Sequence, residues 1–225
     1  MNIKVLELKL GTGTKLPPNI VGQIRGYIGN KFIEDPLLHN HGEKGQYFYR
    51  YPMVQYKIIN GNPLLLGIGE GIESLWEIFN ELSELKINKT EYEIFDKDFL
   101  LKQVTFGIAE IQIPYHFLTP WLALNEKNYE KYQKYGTWAK KKELLEKILI
   151  GNIISLSKSL GYTVPEPIKT NIHKLKEVKT SLKSTPMLGF LGTFSVNFEI
   201  PDYWGIGKSV SRGFGTVKRV EEFES

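Results

Sequence analysis

Eleven residues near the end of the chain combine backbone freedom with positive charge: Gly205-Ile206-Gly207-Lys208-Ser209-Val210-Ser211-Arg212-Gly213-Phe214-Gly215. Two Gly-apolar-Gly triplets enclose a five-residue insert. Glycine at Gly205, Gly207, Gly213 and Gly215 suits a backbone that needs positive φ or a close approach to another group. Lys208 and Arg212 supply cations, and Ser209 and Ser211 supply hydroxyl donors. The amides of such a loop can converge on an anion. The chemistry predicted is phosphate binding, with a tight hairpin that serves only the fold as the alternative.

Spacing decides which phosphate. Gly207-Lys208-Ser209 matches the end of a P-loop, but the glycine that motif needs five residues earlier is Asp202. Only 16 residues follow Ser209, too few for the long helix a P-loop opens. A dinucleotide fingerprint would need glycine at Val210. ATP and NAD are therefore disfavoured, and a polynucleotide backbone is the better anion. Net charge is only +4, from 29 basic and 25 acidic residues, but it is unevenly spread. Residues 120–185 hold 13 lysines against 6 glutamates, a local charge of +7 that leaves −3 elsewhere. A polyanion partner fits that distribution, as does a solvated lysine-rich helical surface.

The absence of cysteine excludes disulfides, thiolate catalysis and cysteine-held metals. His39-Asn40-His41 has the look of a metal pair but shows no obvious third ligand, so no metal and no cofactor are expected. No run has the length of a membrane span and the N-terminus lacks a signal-peptide core, so a cytoplasmic protein without membrane contact is expected.

The elements that must position the loop follow from periodicity. Residues 3–10 alternate as a strand, and Pro17-Pro18 opens a helix running to about Phe32. A loop holding two histidines leads to Met53–Ile59, a strand that turns at Asn60-Gly61-Asn62-Pro63 into Leu64–Ile68. An amphipathic helix over 72–84 and a strand over 87–95 complete β-α-β-β-α-β. The charged stretch Asp96-Lys97-Asp98 reads as the boundary between halves at 1–97 and 98–225. The second half gives a strand over 102–115 whose apolar parity changes near Glu110, which suggests a bulge. A short helix or ordered loop over 126–135, a long helix from Trp138 to Leu160 and weak alternation over 170–183 follow, then a strand after Pro186. The glycine loop and a last strand from Phe214 to Val220 end the chain. The fold class predicted is α+β, two tandem ferredoxin-like, RRM-like halves, with the glycine loop shortening or replacing the second helix of the second half.

Gly-apolar-Gly, five residues and Gly-apolar-Gly beside the C-terminus resembles the signature of the CRISPR RNA-processing endoribonucleases of the RAMP superfamily. The tandem halves and the length agree, although the specific motif covers only 11 residues. The resemblance implies an enzyme that cuts precursor CRISPR RNA within its repeats. It equally admits a related RAMP subunit that binds guide RNA without cutting. It implies repeat RNA as partner, with other CRISPR-associated proteins and a homodimer among the assemblies known for relatives.

The resemblance also implies roles. The family places its catalytic histidine between the first helix and second strand, where His39 and His41 stand. It commonly adds a tyrosine near the end of the first helix and a lysine near the histidine, which point to Tyr27 and Lys44; Tyr47 is a second nearby hydroxyl. RNA carries its own nucleophile, the 2′-hydroxyl. A histidine near neutrality can take that proton or protonate the leaving 5′-oxygen, and a lysine can stabilise the phosphorane. The glycine loop is then the grip on RNA, and Lys140, Lys141 and Lys142 extend the basic surface. His116 is expected to be structural, and His173 lies among lysines.

Overall fold

In a computed structural model, residues 1–39 and 51–220 are described, His39 in its backbone only. The chain forms two compact units, Asn2–Val104 with Val210–Gly213, and Met1 with Thr105–Ser209 and the stretch from Phe214.

In the first unit β1 (Asn2–Gly11) leads through a 3-10 turn, Pro18–Ile20, into α1 (Val21–Lys31). A four-residue helix α2 (Pro36–His39) follows; β2 (Val54–Ile59) and β3 (Asn62–Ile68) form the expected hairpin, and α3 is Gly71–Glu81. Two short strands, β4 (Glu84–Ile87) and β5 (Thr90–Glu93), pair only with each other. β6 (Asp96–Thr105) completes a sheet of order β2-β3-β1-β6, the ferredoxin-like order. The expected strand over 87–95 is thus a separate hairpin. Asn88, at φ 57, turns the chain there, a conformation asparagine tolerates better than most residues. Asp96-Lys97-Asp98, expected to separate the halves, instead opens the fourth strand.

Both faces of this sheet are buried. Leu6, Leu8, Val54, Tyr56, Ile58 and Leu65 pack with Ile24 and Ile28 of α1 and with Leu75 and Ile78 of α3. The opposite face carries Leu64, Leu66 and Ile68, together with the polar Glu7, Gln55 and Lys57, all buried. Glu7 lies there beside Lys102, whose Nζ is 2.5 Å from its Oε1.

The second unit repeats the plan. β7 (Gly107–Phe117) precedes α4 (Glu126–Lys134) and α5 (Trp138–Ser159). β8 (Thr170–Leu182), β9 (Thr185–Glu199) and β10 (Val217–Arg219) complete a sheet of order β10-β7-β9-β8. Asn125 caps α4 by accepting the Asn128 amide at 2.8 Å. The long strand expected over 102–115 is two, broken at Phe106. The bulge near Glu110 is present: pairing of β7 with β9 jumps from Ile108↔Phe198 to Ile113↔Val196. The extra residues leave Ile111 64% exposed, where the alternation had placed it on the buried face. Leu145, Leu149, Ile153 and Leu156 bury one stripe of α5, and Phe190, Phe194, Val196 and Phe198 bury one face of β9. No helix among the described residues is long and apolar enough to cross a membrane.

Candidate active site

α1 begins behind the Pro17–Ile20 turn and buries Val21, Ile24 and Ile28. α2 starts at once after it: the Asp35 carboxylate accepts the Leu37 amide at 2.8 Å, and Pro36 suits a first helical position. Leu38 is buried in the core, which fixes the helix beside α1, and His39 is the next residue and the last of α2. His41, Lys44 and Tyr47 lie outside the described residues.

Tyr27 is half-buried against the core on α1. Burial raises its phenol above the ordinary value and Glu84 raises it further, with Lys86 opposing. Its charged neighbours Glu84, Lys86 and Glu91 belong to the β4–β5 hairpin. Arg25 is two residues earlier and hence on another side of the helix. The fold therefore sets Tyr27 toward the hairpin, whereas Arg25 has Arg212 of the glycine loop as its charged neighbour.

The loop is built by pairing. Gly205 bridges Thr216, the Ile206 amide donates to the Gly215 carbonyl at 2.9 Å, and the Gly215 amide donates to the Pro120 carbonyl at 2.9 Å. The Gly213 amide donates to the Val210 carbonyl at 3.0 Å. These three amides hold the loop's own shape rather than opening toward a common anion. Gly207 has φ 90, and a β-carbon there would lie 2.7 Å from Trp121 Nε1. That nitrogen donates to Asn152 Oδ1 at 3.1 Å, a bond any side chain at 207 would displace. Lys208 is exposed and Ser209 sits at φ 62. The chain then enters the first unit for four residues, with Val210 buried in a 3-10 turn, Val210–Arg212.

That turn lies against α1 and β2 within the first unit. Gly213 has φ 83, and a β-carbon on it would be 2.9 Å from the Tyr56 carbonyl and 3.4 Å from Val21 Cγ1. Arg212 Nη1 is 3.0 Å from where a β-carbon of Gly22 would be. Burial holds the Arg25 guanidinium below its ordinary value, and the Arg212 charge lowers it further, with Tyr56 opposing. Burial pushes the Tyr56 phenol well up. Arg25 carries no motif and was not among the residues singled out from sequence. The available signal was rarity, since Arg25, Arg50, Arg212 and Arg219 are the four arginines of a lysine-rich chain.

The lysine run at the start of α5 is partly spent on local partners. Lys141 Nζ is 4.4 Å from the centre of the Tyr132 ring and 3.9 Å from Glu177. Lys142 donates to Asn171 at 2.9 Å and lies 3.7 Å from Glu146, while Lys140 is exposed. His116 is held below its usual value by burial and by Lys218. His173 is exposed, its Nδ1 3.4 Å from the Asn171 amide nitrogen. Among the described residues, no three His, Cys, Asp or Glu side chains are grouped as a metal ion would need.

Two ferredoxin-like units, with a glycine-rich loop before the last strand, define a RAMP-type protein. The Cas6b N-terminal domain family matches residues 1–105 and the Cas6b C-terminal domain family matches residues 107–220. The chain belongs to the Cas6b family. It is similar over 98% of its length to a crystal structure of Cas6b, all of which is covered, at 40% identity and a TM-score of 0.92. A second structure, described as the CRISPR RNA processing endoribonuclease Cas6b, is 38% identical over 98% of this chain and 100% of that one, with a TM-score of 0.77. The Methanocaldococcus jannaschii protein MJ0978 is 47% identical over 146 residues, 65% of this chain and 99% of its own length.

Proposed function

We propose that this protein is an endoribonuclease that cuts precursor CRISPR RNA within its repeats, without a metal ion, to release guide RNAs. One observation supports this beyond family membership. The unit that receives Arg212 also carries α2, which is packed beside α1 and ends at His39. A cation for the phosphate and a residue able to move a proton thus share one unit.

In this reaction the 2′-oxygen bonds to the adjacent phosphorus as a base removes its proton. The bond from phosphorus to the 5′-oxygen breaks, and an acid gives that oxygen a proton. The products are a 2′,3′-cyclic phosphate and a 5′-hydroxyl. His39 and His41 divide the two proton transfers, and Lys44 and Tyr47 stabilise the phosphorane. Tyr27 with its raised phenol stays protonated at neutral pH; in this reading it anchors α1 on the β4–β5 hairpin. Lys208 and Arg212 hold the backbone, and Lys140 is the member of its run best placed to meet RNA. Such a substrate places the protein in the cytoplasm.

The test is incubation with the repeat RNA of the array in the same genome, in EDTA. One cut is expected, abolished by a 2′-deoxy sugar at the cleaved nucleotide. His39→Ala and His41→Ala should each slow single-turnover cleavage by about 10²- to 10⁴-fold with affinity largely kept. Tight binding of uncut RNA by the unaltered protein would instead identify a guide-holding subunit.

A further inference from the structure

We propose that Arg25 and Arg212 together clamp one phosphate of the RNA close to the bond that is cut, a proposal that rests on the RNA-cleaving reading above. Arg212 sits on the turn from the glycine loop, and Arg25 is one helical turn from Gly22 on the same side of α1. The missing side chain at Gly22 is what lets the Arg212 guanidinium come down on the helix, its Nη1 3.0 Å from the vacant β-carbon position. Gly213, at φ 83, lets the following backbone press on Tyr56 of β2. Two glycines far apart in sequence therefore bring two arginines together.

A guanidinium presents a planar fork that matches two phosphate oxygens, and a pair can hold one phosphate from two sides. Beside the pair, Tyr56 is 1% exposed and its buried hydroxyl has no hydrogen-bond partner among the described residues. It lies within electrostatic reach of Arg25 and of Asp35, the residue that starts α2. α1, which carries Arg25 and meets the Arg212 turn, also packs against α2, the element that ends at His39, so the phosphate the pair holds is at or beside the cleaved linkage.

The experiment uses the full chain and repeat RNA carrying a 2′-deoxy sugar at the cleaved nucleotide. A series of these RNAs replaces one phosphate at a time by a neutral methylphosphonate around the cut. The unaltered protein should lose about tenfold or more in affinity at one position, as expected for a lost hydrogen bond to a charged group. Arg25→Gln and Arg212→Gln should each cost a similar factor, and the double variant little more than either. In these variants the sensitive methylphosphonate should no longer matter. Arg25→Lys, which keeps charge and stem, should recover little of the loss, and it decides the question if Arg25→Gln melts early by circular dichroism. Additive losses, unchanged methylphosphonate sensitivity, or affinity within twofold for the Arg25 variants would overturn the clamp. If the unaltered protein binds but does not cut the ribose RNA, the cleavage reading falls while the clamp is still scored on binding. If no repeat RNA binds, both fall.

Discussion

Lys57 lies in β2 with its side chain 1% exposed, and its Nζ donates to Gln55 Oε1 at 2.7 Å. Gln55 and Glu7 both stand opposite Leu66, so on the buried face of the first sheet a polar residue flanks that leucine on each side. Burial pulls the Lys57 ammonium down from 10.5 to about 7. A lysine that loses its proton more readily when folded gives stability that is fully present above its unfolded value. That stability is lost as pH falls toward 7, because there the folded chain must also carry the buried charge. Urea unfolding at pH 7, 8 and 9 should show this group adding stability with rising pH, by up to about 1.4 kcal/mol per unit. Lys57→Met should flatten that slope; an unchanged slope would show that Lys57 stays charged in the folded protein. Residues like these were not legible in the sequence. Alternation in Val54–Ile59 marks Val54, Tyr56 and Ile58 as inward, and nothing local says that the face with Gln55 and Lys57 is buried too. Arg25 escaped for a related reason, since its charged neighbour Arg212 stands at the other end of the chain.

At the scale of elements, the hydrophobic period carried most of the fold. The α1 and α3 stripes, the Asn60-Gly61 hairpin, the long α5 and the parity change in β7 were all readable, because each is a local pattern with a local cause. The β4–β5 hairpin was not, since its turn uses Asn88 rather than glycine and residues 87–95 read as one strand. The glycine loop was legible as a motif but not as a structure. Its glycines serve contacts with Trp121 and Tyr56, neither of which the sequence places nearby, and with Ile206 across the loop. Gly213→Ala should therefore cost about 1–2 kcal/mol from the left-handed backbone alone, and more from the approach to the Tyr56 carbonyl. RNA affinity should fall with it, because the turn that places Arg212 must shift. Gly26 is the control: it is exposed on α1 with nothing within 4 Å of an added β-carbon, so Gly26→Ala should stabilise by about 0.5–1 kcal/mol. Chemical unfolding and anisotropy with labelled repeat RNA read both, and equal effects at the two positions would remove any special role for the Gly213 turn.

For the whole molecule, the sequence shows a repeated β-α-β-β plan and a lysine-rich stretch, but not that the chain crosses back. Residues 210–213 count with the first unit, although they lie between two stretches of the second, Thr105–Ser209 and the one from Phe214. Val210 is 4% exposed and Gly213 lies close to Val21 and Tyr56, so the first unit is completed by the end of the chain. A fragment of residues 1–105 retains Arg25, His39 and the entire β2-β3-β1-β6 sheet, yet lacks that turn. Losing one buried valine alone removes about 1.5 kcal/mol or more of apolar burial, and α1 loses the residues that cover its Gly22 side. The fragment should melt well below the full chain by circular dichroism. It should also bind repeat RNA at least tenfold more weakly, since a single contact with a charged group is worth about that factor and Arg212 and Lys208 are both gone. Because RNA affinity carries a counterion-release component, the comparison is made at one salt concentration and repeated at a second. The fragment's affinity should fall less steeply with salt than the full chain's, having fewer phosphate contacts. A fragment that binds as tightly as the full chain, with the same salt slope, would place the RNA grip entirely outside the returning turn.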